Sequence, residues 1–377
     1  MDIGIIGTGY VADYYLGTLR LHPELRVKAI TDRDPARREL VGRNWGVPVV
    51  DSVEALLADS DIRLIVNLTN PREHAGVSRR ALQAGKHVYS EKPVAMAFEE
   101  AKELVALARS RGLQIVSAPC SVLSETAQTL WRALQKEVVG VPRLVYAEMD
   151  DGFVPKMVYR QWLSTSGFPW PYKDEFEVGC TIEHAAYVVS WLAMWFGPVL
   201  EVTAFSAALL PEQVKVPGEA LSPADAPDFS VACLVFRNGV VARLTCGIVA
   251  PHDHKLTVIG DDGILYTDET WNYRARVFSR KMIRIRRRSM MSPLRTEHPL
   301  PPPPFGKPRT RGSQSMDFAR GVAELAAAIE AGRECEKLSM AFSLHVNEVV
   351  LAISEAQGGR KTRITTDFPA LPPGPWL

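Results

Sequence analysis

Three groups of residues in this chain have types and spacings that can do chemistry. The first is Gly7-Thr8-Gly9-Tyr10-Val11-Ala12, a G-x-G-x-x-A run directly after an apolar stretch. Glycines there allow a tight turn and close approach of the backbone to a pyrophosphate. The N–H groups of a following helix then face its charge. Asp32 follows Ala12 by 20 residues, where an acid accepts from an adenosine ribose 2′-hydroxyl. Capping a helix that starts near Pro35 is its other plausible use. A carboxylate at Asp32 favours NAD, and Arg33 beside it keeps NADP open, because arginine pairs with a 2′-phosphate.

The second group is Ser90-Glu91-Lys92-Pro93, at the end of a further apolar run. A lysine there lies where ligands collect in open α/β sheets. Its amine, ordinarily titrating at about 10.4, serves as a base near neutrality only if burial or positive charge depresses it. The third group is Gly179-Cys180-Thr181-Ile182-Glu183-His184-Ala185-Ala186-Tyr187, which opens a helical pattern. Glu183 and Tyr187 are i, i+4 neighbours on one face, and His184 is turned about 100° from Glu183. Lysine, glutamate, histidine and tyrosine at such places can hold or exchange protons beside a bound dinucleotide.

Weaker signals surround them. Asn67-Leu68-Thr69-Asn70-Pro71, with His74 one turn on, closes another strand. His252-Asp253-His254 has metal-like spacing without a third ligand in view, so a strand-end turn near the substrate mouth is expected and no metal. His345 and Glu348 sit among Leu344, Val346 and Val349, as in a packed helix. Gln161, Trp162, Trp170 and Lys173 lie in a loop that can close over a polyhydroxy substrate, with Trp162 stacking on it, or pack only against itself. Residues 280–295 carry seven basic side chains, read as a solvated strand edge because Met282, Ile283 and Ile285 interleave with them.

The elements that must position these groups change character near residue 120. Before it, strand patterns at 3–6, 26–30, 64–68, 87–90 and 113–117 alternate with helical patterns at 11–21, 35–45, 73–84 and 98–111. That rhythm predicts βαβ units, a parallel sheet and a Rossmann-type domain over residues 1–120. Residues 121–377 read as an α+β domain whose large sheet is mostly antiparallel and open-faced. It has a helix at 124–136, strands at 143–148, 199–207, 229–236, 240–248, 255–259 and 275–278, and closing helices at 316–331 and 340–357. Those last helices can pack back on the first domain. Asn238-Gly239 predicts a type I′ hairpin, Gly260–Gly263 a second turn, and Pro299 with Pro301–Pro304 a linker.

Composition excludes several classes. A chain of 377 residues with 46% hydrophobic and 23% charged residues can bury a full core, so disorder is not its main state. Lys plus Arg exceed Asp plus Glu by one, 44 to 43, which disfavours a nucleic-acid or anionic-membrane binder. The apolar stretch 185–196 is too short to span a bilayer. The start lacks a basic segment of the secretory kind, and five scattered cysteines suggest reduced thiols, so a cytoplasmic location is expected.

The glycine run, the Asn67–Pro71 strand end with His74, and above all Glu91-Lys92-Pro93 resemble the glucose–fructose oxidoreductase / inositol dehydrogenase (Gfo/Idh/MocA) family over nearly the whole chain. The resemblance implies transfer of hydride between NAD or NADP and a secondary hydroxyl or keto group of a sugar, cyclitol or derivative. It implies a homodimer or homotetramer formed through the open sheet face. Gly7, Thr8, Gly9, Tyr10, Val11, Asp32, Arg33, Thr69, Asn70, Pro71, His74, Glu91 and Lys92 would then bind the cofactor. Lys92, Trp162, Glu183, His184 and Tyr187 would meet the substrate. Family members carry Asp and His where Glu183 and Tyr187 stand, so either Tyr187 or His184 handles the second proton. A glycosidase using NAD for transient oxidation, and a non-catalytic dinucleotide-binding sensor, are the alternatives on the same fold.

Overall fold

A computed structural model describes residues 1–303 and 315–371. Its first half is a five-stranded parallel sheet in the order β2-β1-β3-β4-β5, made of β1 (Asp2–Ile6), β2 (Arg26–Thr31), β3 (Leu64–Asn67), β4 (His87–Ser90) and β5 (Ile115–Ser117). These strands are short apolar runs because helices cover both faces: α1 (Ala12–Leu19), α2 (Pro35–Trp45), α3 (Val53–Ala58), α4 (His74–Gln83) and α5 (Phe98–Ser110). Asn67 and Ser90 are register partners at the carboxyl ends of β3 and β4. The turns holding Thr69–Pro71 and Glu91–Lys92 therefore emerge side by side.

The second half begins with α6 (Glu125–Gln135), whose Ser124 cap accepts from the Ala127 N–H at 3.1 Å. β6 (Pro142–Asp150) leads through a long loop to α7 (Tyr172–Val178) and α8 (Cys180–Phe196). The chain continues with β7 (Val199–Ala207), a short α9 (Glu212–Lys215), β8 (Phe229–Phe236), β9 (Val241–Gly247), β10 (Leu256–Gly260), β11 (Gly263–Thr267), β12 (Val277–Ile285), β13 (Arg288–Met291) and β14 (Thr296–His298). It closes with α10 (Arg320–Glu330), α11 (Met340–Ser354) and β15 (Arg360–Arg363). The ten strands of this half form one sheet in the order β13-β12-β11-β10-β6-β9-β8-β7-β15, with β14 on β12. Only the β6–β9 pair is parallel among these ladders.

Several expectations need correction. The hairpin at Asn238-Gly239 forms, but only Gly239 has positive φ, at 86°, so the turn is not type I′. Gly239 N–H donates to Phe236 O at 3.0 Å and the Asn238 side chain accepts from Val240 N–H at 3.1 Å, a three-residue loop closed by a left-handed glycine. The strand expected at 275–278 runs on to Ile285, and the basic stretch folds back there as the β12–β13 hairpin. Strands β11, β13, β14 and β15 and helix α7 carry no clear period in the sequence. The helix expected from residue 316 starts at Arg320, and Pro304 of the expected linker lies outside the described residues. The closing helices do reach the first half: Asn347 donates to Ala95 O at 3.3 Å and Ser117 N–H to Ser343 Oγ at 3.2 Å.

Candidate active site

A cavity of about 1010 Å³ opens between the two halves. Gly9, Tyr10, Val11, Arg33 and the Thr69–Pro71 turn line one end, and Lys92, Glu183, His184 and Tyr187 line the other. The dinucleotide end fits its expected guest. Gly7 has φ of 98°, and a Cβ on it would lie 2.6 Å from the Leu68 backbone. A Cβ on Gly9 would meet only an Arg37 nitrogen at 3.9 Å, so the loop leaves open space there. Helix α1 has no side-chain cap; its Ala12 N–H turns back to Gly9 O at 3.2 Å and Tyr14 N–H to Val11 O at 3.0 Å, so an anionic ligand would meet the positive end of the helix and the glycine turn before it.

Asp32 is anchored to this loop. Its carboxylate accepts from Thr8 N–H at 2.7 Å, Thr8 Oγ at 3.1 Å and Asp34 N–H at 2.9 Å. Asp34, not Asp32, caps α2 by accepting from Ala36 and Arg37 N–H. His74 is buried, with Nδ1 2.7 Å from Pro93 O and Nε2 2.9 Å from Thr69 O. It ties the two strand-end turns together and has no ring nitrogen left for a ligand. Glu91 likewise looks inward: it accepts from the Tyr15 hydroxyl at 2.6 Å and from Lys92 N–H at 3.1 Å, fixing the turn that carries Lys92.

The opposite wall is built by α8. Gly179 precedes it with φ of 93°, and a Cβ there would strike Pro227 O at 2.9 Å, so only glycine lets the helix begin so close to that loop. The first turn then points the Glu183 carboxylate at the Lys92 ammonium, with which it pairs. Burial alone would lower the titration of Lys92, but Glu183, Tyr187, Glu175 and Glu91 more than offset it and hold the lysine above its ordinary range. The depression that a lysine base near neutrality requires is therefore not met in this state, and Lys92 stands as a charged donor. Burial raises Glu183 and Lys92 draws it down, leaving it a carboxylate.

Glu175 on α7 also lines the cavity and was not foreseen. Burial and the neighbouring Glu183 push it well above the usual carboxylate range, so it retains its proton. A carboxyl in a short, unperiodic helix gave no sequence signal. Burial likewise keeps the Tyr187 hydroxyl protonated, and its ring packs 5.3 Å from that of Trp271.

The two halves also clasp across the cavity, through Asn70 to Asp174 at 2.6 Å and Arg72 to Glu177 at 2.9 Å. Trp162 and Trp170 pack together, centroids 5.1 Å apart, and both line the cavity with Lys173. Gln161 is exposed and outside that lining. His345 is structural: Nε2 accepts from Val199 N–H at 3.0 Å, and Glu348 accepts from Thr365 and Thr366.

His252 does reach the cavity mouth, and the fold supplies an acid that spacing did not show, since one atom each of Asp151, His252 and His254 lie within 4.8 Å of one another. Both nitrogens of His254 are already engaged, Nε2 with Asp151 at 2.9 Å and Nδ1 with Glu269 at 3.0 Å. Burial opposes its charge, yet these two carboxylates raise it to about 9. A metal ion there would have to displace the proton that these two carboxylates hold on His254.

Residues 1–118 match the family model for the oxidoreductase family with an NAD-binding Rossmann fold, GFO_IDH_MocA, and residues 127–266 match the GFO/IDH/MocA C-terminal domain. The chain belongs to this family. It is an NAD(P)-dependent oxidoreductase. Trans-1,2-dihydrobenzene-1,2-diol dehydrogenase from Sus scrofa is 26% identical over 266 residues, covering 69% of this chain and 72% of its own. Among solved structures, an oxidoreductase from Agrobacterium radiobacter in complex with NAD+, L-tartaric acid and magnesium has a TM-score of 0.76 at 18% identity, covering 96% and 98% of the two chains. The 3-ketoreductase KijD10 from Actinomadura kijaniata, with NADP and TDP-benzene, has a TM-score of 0.71 at 22% identity, covering 94% and 96%. No helix among the described residues of the Gfo/Idh/MocA protein is long and apolar enough to cross a membrane.

Proposed function

We propose that the enzyme interconverts a secondary hydroxyl and a keto group on a sugar or sugar derivative. The observation that carries this reading is the Lys92–Glu183 pair, set in the wall of the same cavity that the Gly9–Val11 turn opens into. A bound nicotinamide would supply or accept the hydride. The chain's own residues would handle the proton: Lys92 donates a charged hydrogen bond to the substrate oxygen, Glu183 holds that ammonium in place, and Tyr187 or His184 exchanges the second proton. With Lys92, Glu175 and Tyr187 all protonated, the site stands in the state suited to reducing a ketone.

The cavity size and the Trp162–Trp170 pair support a substrate with an extended polar face and a stackable ring. KijD10 with TDP-benzene, studied also as a lysine-to-alanine and a tyrosine-to-phenylalanine variant, and a UDP-N-acetylglucosamine 3-dehydrogenase are neighbours of matching fold. Purified protein is to be mixed with NAD or NADP and a panel of sugars, nucleotide-linked sugars, cyclitols, glycosides and trans-dihydrodiols, reading reduced nicotinamide and released sugar. Turnover of a sugar compound supports the proposal. Turnover of dihydrodiols alone, or sugar release without net reduction, refutes it. The outward sheet face, with Tyr146 and Phe205 exposed, is the proposed self-association surface, checked by light scattering.

A further inference from the structure

The long loop between β6 and α7 folds part of itself into a small hairpin. Gly167 N–H donates to Ser164 O at 2.9 Å, Ser164 N–H to Phe168 O at 2.8 Å, and Trp170 N–H to Trp162 O at 2.8 Å. Gly167, with φ of 86°, turns the chain at the tip. That tip is fastened to the other half of the molecule. Asp13, in the first turn of α1, accepts from Ser166 N–H at 2.6 Å, from Ser166 Oγ at 2.7 Å and from Trp45 Nε1, at the end of α2, at 2.7 Å. Asp13 and Ser166 are both buried. Beside them the Phe168 ring lies 5.2 Å from the guanidinium of Arg37, whose Nη1 is the atom nearest the open space over Gly9. Phe168 and Arg37 line the cavity together with Gly9, Tyr10 and Val11.

We propose that residues 162–170 form a strap over the dinucleotide, latched by Ser166 on Asp13, and that the cofactor enters and leaves only when this latch opens. The inference needs the dinucleotide site alone and stands apart from the choice of substrate. Asp13 is two residues beyond Val11, in the helix turn that faces the pyrophosphate position, where its charge works against an anionic ligand. It is not among the residues lining the cavity, and its three hydrogen bonds go to the strap and to Trp45. Three donors offset the cost of burying the carboxylate, and two of them come from Ser166. The latch therefore holds the second half's loop directly behind the glycine turn.

Two sets of contacts tie the halves together beside the cavity, this latch and the clasp of Asn70 with Asp174 and Arg72 with Glu177. The clasp is the larger unit to move. Glu177 also accepts from Ser222 N–H at 2.9 Å, and Arg72 donates to Ser222 O at 2.9 Å, so three segments would separate at once. Opening the latch breaks the bonds of one hairpin tip and leaves both sheets intact. A strap that must open for passage in either direction slows entry and exit alike. Weakening it raises both rate constants, whereas loss of an ordinary binding contact raises only the exit rate. Charge gives the opposite sign: removing the Asp13 carboxylate takes a negative charge from beside an anionic ligand and, acting alone, would slow release.

Stopped-flow fluorescence on the full-length protein, with whichever of NADH and NADPH binds more tightly, reads both constants from binding and displacement. Asp13→Ala is expected to raise both at least about 10-fold, the worth of one hydrogen bond to a charged group. Ser166→Pro, which removes both strap donors and leaves α1 untouched, is expected to do the same. Arg72→Ala, which cuts the clasp, is expected to leave both nearly unchanged. Unaltered rates in both strap variants overturn the proposal. So does faster exit with unaltered entry, which makes Asp13 and Ser166 ordinary contacts, and so does a rise confined to Arg72→Ala, which puts the passage at the clasp. Should both strap variants fail to fold, hydrogen exchange on the wild-type protein decides. Saturating dinucleotide must slow exchange across residues 162–170, and equal exchange with and without it overturns the strap. Normal turnover in Lys92→Ala would sink the substrate reading and leave the strap standing.

Discussion

The ammonium of Lys92 and the carboxylate of Glu183, 91 positions apart in the chain, pair across the seam between β4 and the first turn of α8. Lys92→Ala is expected to cost roughly 10²–10⁴-fold in turnover, the usual loss of a positioned acid–base group. Dinucleotide affinity should stay nearly unchanged, because the glycine turn, Asp32 and the Thr69–Pro71 turn hold that ligand. Steady-state rates with a titration of NAD binding by fluorescence check both halves of the statement.

Glu183→Gln removes the carboxylate that holds Lys92 above its ordinary range. Burial then acts with less opposition, and the lysine's titration moves down. The alkaline limb of the pH–rate profile should shift to lower pH, with kcat reduced. An unchanged limb would show that the pair does not govern the lysine's charge.

NAD is expected to bind more tightly than NADP. Asp32 is pinned as an acceptor beside the glycine turn by Thr8 and Asp34, and a fixed carboxylate repels a 2′-phosphate. Arg33 and Arg37 line the same end and work the other way. Asp32→Ala should therefore move the ratio of dissociation constants toward NADP, as measured by calorimetry with both cofactors. Tighter NADP binding by the unaltered enzyme would overturn the expectation.

What the sequence made legible was whatever is local. The Rossmann half was readable because each strand and helix has its own period and each functional turn directly follows a strand. Lys92 was nameable for the same reason, and Glu183 because the resemblance marks the helix that opens at Cys180. The charge state of Lys92 was not legible, since it depends on Glu183, Glu175 and Tyr187 arriving from distant elements. Asp151, Glu269 and Trp271 were missed because nothing in a strand-end Asp or an acid in a loop marks it; only the fold brings them to His184 and His254. The β12–β13 hairpin was misread as a shorter strand because its arginines mask the alternation of an edge ribbon.

His254 gives the fold a pH dependence with a definite sign. Its titration is raised to about 9 in the folded state, against about 6.5 unfolded. The associated stability is complete below pH 6.5 and is lost as pH rises through 9, a loss on the order of 3 kcal/mol. The melting temperature should fall between pH 7 and pH 10 more steeply in the native enzyme than in His254→Gln. Parallel slopes in the two proteins would refute it.

The basic hairpin is expected not to bind nucleic acid. Within the hairpin Arg280 donates to Ser292 O, and the whole-chain charge of +1 supplies little attraction. Salt-sensitive micromolar binding of duplex DNA or RNA near physiological ionic strength would contradict this.

Tyr187→Phe isolates one hydroxyl. The ring would keep its packing 5.3 Å from Trp271, so the melting temperature should barely move. In the native state burial keeps that hydroxyl protonated, with Glu91 and Glu183 adding to the effect and Lys92 opposing it. A phenol in that condition can donate to a developing alkoxide when a ketone is reduced, and the same path run backward returns the proton to it in oxidation. The variant should therefore lose rate by a similar factor in both directions, because the two share one transition state. Pre-steady-state single-turnover rates in each direction separate the chemical step from product release. Losses that differ between the directions would show that the hydroxyl acts on the bound substrate or product and not on the proton transfer.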